Sequence, residues 1–309
     1  MLRAAHFAMA AAAITSLALV TSVAADDSTV PALSGQWGRA NFNLEQHADG
    51  AKFITNTLHK KDGTLDDDAG RLGDYNSPLL TPEAAAILKA HGEFSMTGMS
   101  IPDPHNQCWP EPPPFGMSIQ LELMLLQRPD EVVLIYSNGQ RTRHIRLNSS
   151  HPTPLVPTYV GDSIGHYEGD TLVVDTVGIK PGKWPVIDRY GTPHSDQLHV
   201  VERYRLIDGK AAEEAMAAHH REFTRAPMPK ASGYGSVFDP DTSHKGLQVE
   251  VTIQDPKMFT KPWTGYVTYR PESNWPEMIC DDPPSLTNTA ILEIGGPPRQ
   301  GPVALKADF

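Results

Sequence analysis

The chain has only two cysteines, no cluster of lysine and arginine, and no paired-histidine metal motif among its 13 histidines. Each scarcity excludes something. Nucleic acid and anionic membrane surfaces are bound through clustered basic side chains, so neither is an expected partner. None of the histidines stands in a His-x-His or His-Glu-x-x-His pattern, and His219-His220 would point in different directions on a helix. Two cysteines as far apart as Cys108 and Cys280 do not make a metal site either, so no metal and no cofactor are expected. Prolines and glycines, by contrast, are plentiful at 28 and 24, and they punctuate short segments throughout.

The one long apolar run lies at the start. Arg3, the stretch Phe7 to Val20 and the small residues Ser22-Val-Ala-Ala25 have the layout of a secretory signal peptide cleaved near Ala25. The run is too short for a bilayer, which takes about 20 apolar residues, so no membrane anchor is expected and the destination is periplasmic or secreted. Taking Arg3 away from 26 basic residues leaves 25 against 37 acidic ones, a net charge of −12. In an exported chain disulfides persist, and Cys108 is expected to pair with Cys280. In the chain-entropy model so long a loop is worth roughly 5 kcal/mol as an upper figure.

Residues 26–125 read as a loop-rich region. Leu33-Ser-Gly-Gln-Trp37 opens a first strand, and its Gly35-x-Trp37 pattern is similar to the start of lipocalin-type barrels. Thr81 to Gly92 is a short helix over 82–91, with Thr81 as N-cap, Pro82 and Glu83 in the first turn and Gly92 past the last. Ile101 to Phe115 holds six prolines and reads as an extended strap.

From Glu131 the pattern changes to strand-length runs rich in β-branched residues. Glu131–Ser137 and Gln140–Asn148 flank Asn138-Gly139, a strong hairpin signal because both central positions need positive φ. Ser163–Glu168 and Thr171–Ile179 flank Gly169-Asp170; His199–Ile207, Leu247–Asp255 and Trp263–Arg270 follow, with Glu277–Asp281 as a last candidate. About eight strands are enough for an up-and-down antiparallel, lipocalin-like β-barrel, with a β-sandwich as the alternative. The barrel is expected over 126–285, interrupted by a partly helical insertion at 210–245 and followed by a tail at 286–309. The insertion is either a lid over the mouth or a surface decoration anchored by Met216 and Phe223.

Side chains alternate across a strand, so the more apolar face should turn inward. That choice carries Glu202 inside with Tyr204 and Leu206, and Arg143 inside with Val132, Leu134, Ile145 and Leu147. On Thr171–Ile179 the odd face is marginally more apolar and would add Asp175. Leu247, Val249, Val251 and Ile253, with Trp263, Val267 and Tyr269, complete an apolar wall. Two carboxylates sharing one buried guanidinium would raise one pKa and suit it to acid–base work; a purely structural ion-pair network is the competing reading. At the rim, Gly191-Thr-Pro-His-Ser-Asp196 offers His194 and Asp196, although Ser195 or Asp196 can equally organise the turn. Gly161-Asp-Ser-Ile-Gly165 matches Gly-x-Ser-x-Gly, yet lacks the strand-to-helix setting of a nucleophile elbow.

The run Gly161-Asp-Ser-Ile-Gly-His-Tyr-Glu-Gly-Asp-Thr-Leu-Val-Val-Asp-Thr176, with Pro193-His-Ser-Asp196 and Leu198-His-Val-Val-Glu-Arg-Tyr204, resembles a family of exported bacterial proteins. The likeness extends from about Asp103 to Asp281. It departs at His166, at Asn148-Ser-Ser150 and in the insertion, and it implies no particular reaction. The residues themselves point to a cofactor-independent acid–base enzyme (a lyase, isomerase or hydratase) on a small, partly apolar molecule. Glu202, Asp175, His194 and Asp196 would be its catalytic groups, and Arg143, Trp263 and Tyr204 would bind the substrate. The alternative is a lipocalin-like binding protein; a third reading is an envelope protein whose inner charges serve only folding. Oligomeric state is not legible.

Overall fold

The computed structural model describes residues 30–45, 53–67, 70–137 and 141–276. The expected signal peptide, the expected Asn138-Gly139 turn, the Glu277–Asp281 candidate strand, the 286–309 tail and Cys280 lie outside them, and so does the expected Cys108–Cys280 bridge.

Nine strands close into a barrel: β1 (Gly35–Gly38), β2 (Glu122–Gln127), β3 (Glu131–Tyr136), β4 (Arg141–Leu147), β5 (Asp162–Glu168), β6 (Thr171–Val177), β7 (His199–Ile207), β9 (Gly246–Gln254) and β10 (Trp263–Ser273). The ring is completed by β1 pairing with β10, Trp37 opposite Pro271, which removes the free edges a sandwich would leave. The two-residue strand β8 (Val237–Phe238) adds to the far end of β10 outside the ring. All pairings are antiparallel except β4 with β5, which run parallel, so the barrel is mixed rather than strictly up-and-down. The reason lies in the connection: Asn148 to Gly161, with three prolines, is long enough to carry the chain back to the same end of the barrel.

In the loop-rich region the expected first strand forms as β1, and β2 is a strand that was not expected. β1 contains the Gly35-x-Trp37 pattern. β2 (Glu-Leu-Met-Leu-Leu-Gln) has no β-branched residue, so its local preference leans helical; pairing with β1 and β3 overrides it. The main core cluster runs from Leu134 and Val251 inside the barrel to Phe53, Leu79, Leu80 and Leu88 of the N-terminal region, and a second, smaller one gathers Ile101, Phe115, Ile119 and Val186 with Phe42 and Phe94 packed against it. Phe53 stacks on Trp263 at 6.0 Å and Phe259 meets it edge-on at 5.6 Å, covering the barrel end where β7 and β10 begin.

Helix α1 (Pro82–Ser95) starts as expected, with Thr81 Oγ1 accepting from the Ala84 amide. It does not stop at Gly92. Gly92 is buried inside the helix because Leu72 packs there; an added Cβ would lie 2.2 Å from Leu72 Cδ1. A short α2 (Phe115–Ile119) ends the proline-rich strap. The insertion forms α3 (Gly209–Phe223), capped by Asp208, whose carboxylate accepts from the Lys210 and Ala211 amides at 3.0 and 3.1 Å. Its inner stripe is Ala212, Met216 and His219. This stripe packs against the outer face of β9 and β10, as the approach of Ala212 to Gly246 shows, so α3 clads the wall and is not a lid over the mouth.

Candidate functional site

The strand parities place two of the expected site residues together. β3 and β4 pair Leu134 with Arg143 and Val132 with Ile145, the register that counting outward from the turn predicts. β7 turns Val200, Glu202 and Tyr204 inward. Arg143 and Glu202 then meet as a bidentate pair, Nη1 to Oε1 at 2.9 Å and Nη2 to Oε2 at 2.5 Å, with side chains 4% and 0% exposed. Arg143 Nε donates to Ser163 Oγ at 3.0 Å and Nη2 to Thr176 Oγ1 at 2.6 Å, while Tyr204 donates to Glu202 Oε1 at 2.9 Å. Burial disfavours the Arg143 cation, but the Glu202 charge and hydrogen bonds outweigh it and raise its pKa. Burial likewise drives the Tyr204 and Tyr136 hydroxyls upward.

Asp175 is not in this cluster. The even side of β6 (Leu172, Val174, Thr176) faces inward, opposite Tyr204, Glu202 and Val200. Counting apolar residues favoured the odd side by a small margin; the cost of burying a second carboxylate, several kcal/mol even after relaxation, exceeds that margin. Asp175 instead lies on the outer wall, accepting from His199 Nε2 at 2.8 Å and His151 Nε2 at 2.9 Å. These contacts hold Asp175 low and raise His199. His151 Nδ1 continues to Asp162 at 2.6 Å and Asp162 to Arg146, a polar ladder across four strands in which both nitrogens of His151 are engaged. With Asp175 outside, the competition of two carboxylates for one guanidinium is absent.

The rim residues are dispersed. His194 is buried, its Nδ1 against Ser195 O at 3.0 Å, and burial lowers its pKa. Ser195 organises the turn, its N and Oγ donating to Asp255 at 2.6 and 2.7 Å. Asp196 is exposed and paired with Lys257 Nζ at 2.6 Å. Trp263 is packed between Phe53 and Phe259, and Tyr204 serves Glu202, so neither is open to a substrate. Ser163 is tied to Arg143 and Thr176. Neither Glu202 nor Arg143 lines the clefts of about 380, 300 and 430 Å³ found among the described residues.

A different constellation lines a cleft of about 380 Å³ outside the barrel. Its walls come from the segment after β1 (Asn41, Phe42, Asn43), from Lys60, Asp67 and Arg71, from Arg189, and from the end of α3 (Phe223, Thr224). Arg189 sits in a loop held on both sides. Asp188 Oδ1 accepts from the Tyr190 and Thr192 amides at 2.9 and 3.0 Å, Tyr190 is buried in the core, and His91 Nδ1 donates to Gly191 O at 2.7 Å. The Arg189 guanidinium lies 4.4 Å from the Phe42 ring centroid and is 11% exposed.

Its hydrogen bonding differs from that of the fully buried Arg39 and Arg270. Arg39 spends Nε, Nη1 and Nη2 on the carbonyls of Gln120, Asn43 and Met117, and Arg270 spends both terminal nitrogens on carbonyls of Gly209, Asp239, Asp241 and His244. Arg189 has one long contact, Nη1 to Asp67 Oδ2 at 3.4 Å; its Nε is buried without a partner, and its Nη2 has none among the described residues. Burial lowers the Arg189 pKa to about 10, and the neighbouring Arg71 charge pushes in the same direction. Asp67 is already held by Asn56 and Asn43 at 2.9 and 3.2 Å. Among the described residues Lys60, Arg71 and Arg189 line the cleft with Asp67, and Lys60 Nζ donates to Phe223 O at 3.3 Å. Sequence reading passed over Arg189 because it belongs to no strand pattern; the only local signal was the Asp188-Arg-Tyr-Gly191 turn chemistry.

Among the described residues no group of histidine, cysteine and acidic side chains is arranged to hold a metal, and no helix is long and apolar enough to cross a membrane. No family model, curated protein or solved structure matches the chain.

Proposed function

We propose that this is an exported small-molecule binding protein that takes a small, partly apolar anion in the cleft of Phe42, Arg71, Arg189 and Phe223. The observation that carries the reading is the pairing state of Arg189. A buried guanidinium costs several kcal/mol unless it is paired, and here the protein supplies it with a single long contact beside a second cation. A ligand carboxylate bridging Arg189 Nη2 and Arg71 supplies the missing acceptors, and Phe42, Leu65 and Phe223 offer apolar contact to the rest of the molecule. Arginine's planar donors suit carboxylates.

Binding is preferred to acid–base catalysis at Glu202 because both carboxylate oxygens there are engaged and shielded from solvent. On this reading Arg143 and Glu202 serve the barrel's architecture. Cleavage near Ala25, periplasmic or secreted location and the Cys108–Cys280 bridge belong to the same proposal, supported by the leader-like sequence of residues 1–25.

Titration calorimetry of the protein with benzoate and hexanoate, beside their neutral amides, tests the reading. The acids are expected to bind and raise the melting temperature, the amides to bind at least about tenfold more weakly, as charge-assisted hydrogen bonds are worth about 1.5–3 kcal/mol. Arg189→Met and Arg71→Met, each checked for an intact melting transition, are expected to abolish the preference. Equal binding of acid and amide, or an unchanged preference in both variants, would refute it.

A further inference from the structure

Phe42 and Phe223 are fixed before any ligand arrives. His219, buried on α3, reaches both of them: its Nε2 meets Phe42 O at 2.8 Å, and its ring packs edge-on against Phe223 with centroids 5.2 Å apart at 89°. Phe42 is further held edge-on by Tyr234 at 6.4 Å and capped on one side by the Arg189 guanidinium. Preset rings bind without the ordering cost of loose side chains. The available donors are equally restricted. With one Nη1 hydrogen on Asp67 and Nε buried, the donors left to Arg189 are Nη2 and the second Nη1 hydrogen, and a carboxylate that takes them through one oxygen has the other for Arg71.

Resting on the anion-binding reading above, we propose that the cleft recognises an aryl carboxylate, its ring packed on Phe42 and Phe223 and its carboxylate shared by Arg189 and Arg71. An aromatic ring has two properties here that a saturated one lacks. Its edge and face complement the quadrupoles of the two phenyl rings, and its face accepts a guanidinium through cation–π attraction. A saturated ring of similar size buries comparable apolar surface yet gains neither.

Benzoate and cyclohexanecarboxylate are matched in charge and close in shape, and their affinities for the full chain decide the matter by titration calorimetry. Benzoate is expected to bind about three- to tenfold more tightly, the range of one or two aromatic contacts. Phe223→Leu, at the end of α3, is expected to bring the ratio toward one, and a ratio unchanged in that variant would overturn the aromatic contact; Phe42→Leu should act alike, and if it fails to fold Phe223→Leu still decides. Equal affinities in the unaltered protein would overturn the aromatic preference alone. Failure of both acids to bind would overturn the anion site with it.

Discussion

Replacing Glu202 by glutamine keeps the shape of the side chain and removes the charge that balances Arg143 inside the barrel. The guanidinium would keep Ser163 Oγ, Thr176 Oγ1 and one amide oxygen, but no anion. Breaking a buried pair by neutralising one partner costs about 3–5 kcal/mol, a large share of a typical stability of about 5–15 kcal/mol. At about 2–4 °C per kcal/mol for a chain of this size, the melting temperature should fall by roughly 6–20 °C. The double variant Arg143→Met/Glu202→Leu removes both charges and should recover part of that loss. Ser163 and Thr176 still bond each other at 3.0 Å, while the Tyr204 hydroxyl loses Glu202 and the Tyr136 hydroxyl loses Arg143, each orphan costing about 1–3 kcal/mol and setting how far the recovery goes. Guanidinium denaturation of the three proteins measures these differences, and calorimetry with benzoate shows whether the cleft notices. A Glu202→Gln variant within about 1 kcal/mol of the parent, or a double variant no better than the single, would refute the structural role. Loss of benzoate binding in a folded Glu202→Gln protein would return the ligand to the barrel.

The outer ladder should make stability pH-dependent in a defined window. Asp175 is held below its ordinary 3.8, so its contribution is complete above that value and lost as pH falls through the lower folded value; His199 is raised above 6.5, so its contribution is complete below 6.5 and lost as pH rises through the higher folded value. The deficit of Asp175→Asn in melting temperature should therefore be largest between about pH 4 and 6.5 and shrink at either side; a deficit that does not vary with pH would contradict the ladder. Gly161 has φ +75°, and a Cβ there would lie 2.8 Å from Val177 O, so Gly161→Ala is expected to cost about 1–3 kcal/mol by denaturation, with an unchanged midpoint arguing against this backbone.

Much of the barrel was legible because its strands have one apolar and one polar face. β7, β9 and β10 show it plainly, and the register across β3 and β4 followed from counting back from a two-residue turn. β2 was not legible, because leucine, methionine and glutamate say nothing of strand until neighbours pair with them. The helix end at Gly92 was misread for a related reason: glycine stops a helix when its left-handed freedom is used, and here it is used for its small size against Leu72. Of the expected site, Arg143, Glu202 and Tyr204 do assemble, while His194, Asp196 and Trp263 go to a buried turn, a surface ion pair and a plugged barrel end.

Sequence alone decided the alternation that sends Glu202 and Arg143 to the same interior, since strand parity is a local property of the backbone. Only the tertiary structure decided that Asp175 faces outward, because that depended on comparing the energies of two nearly balanced faces within a closed ring. Only the tertiary structure, too, brought Phe42, Arg71, Arg189 and Phe223 to one cleft. They come from four separate stretches of chain with no shared period, and nothing but packing against the finished barrel sets them side by side.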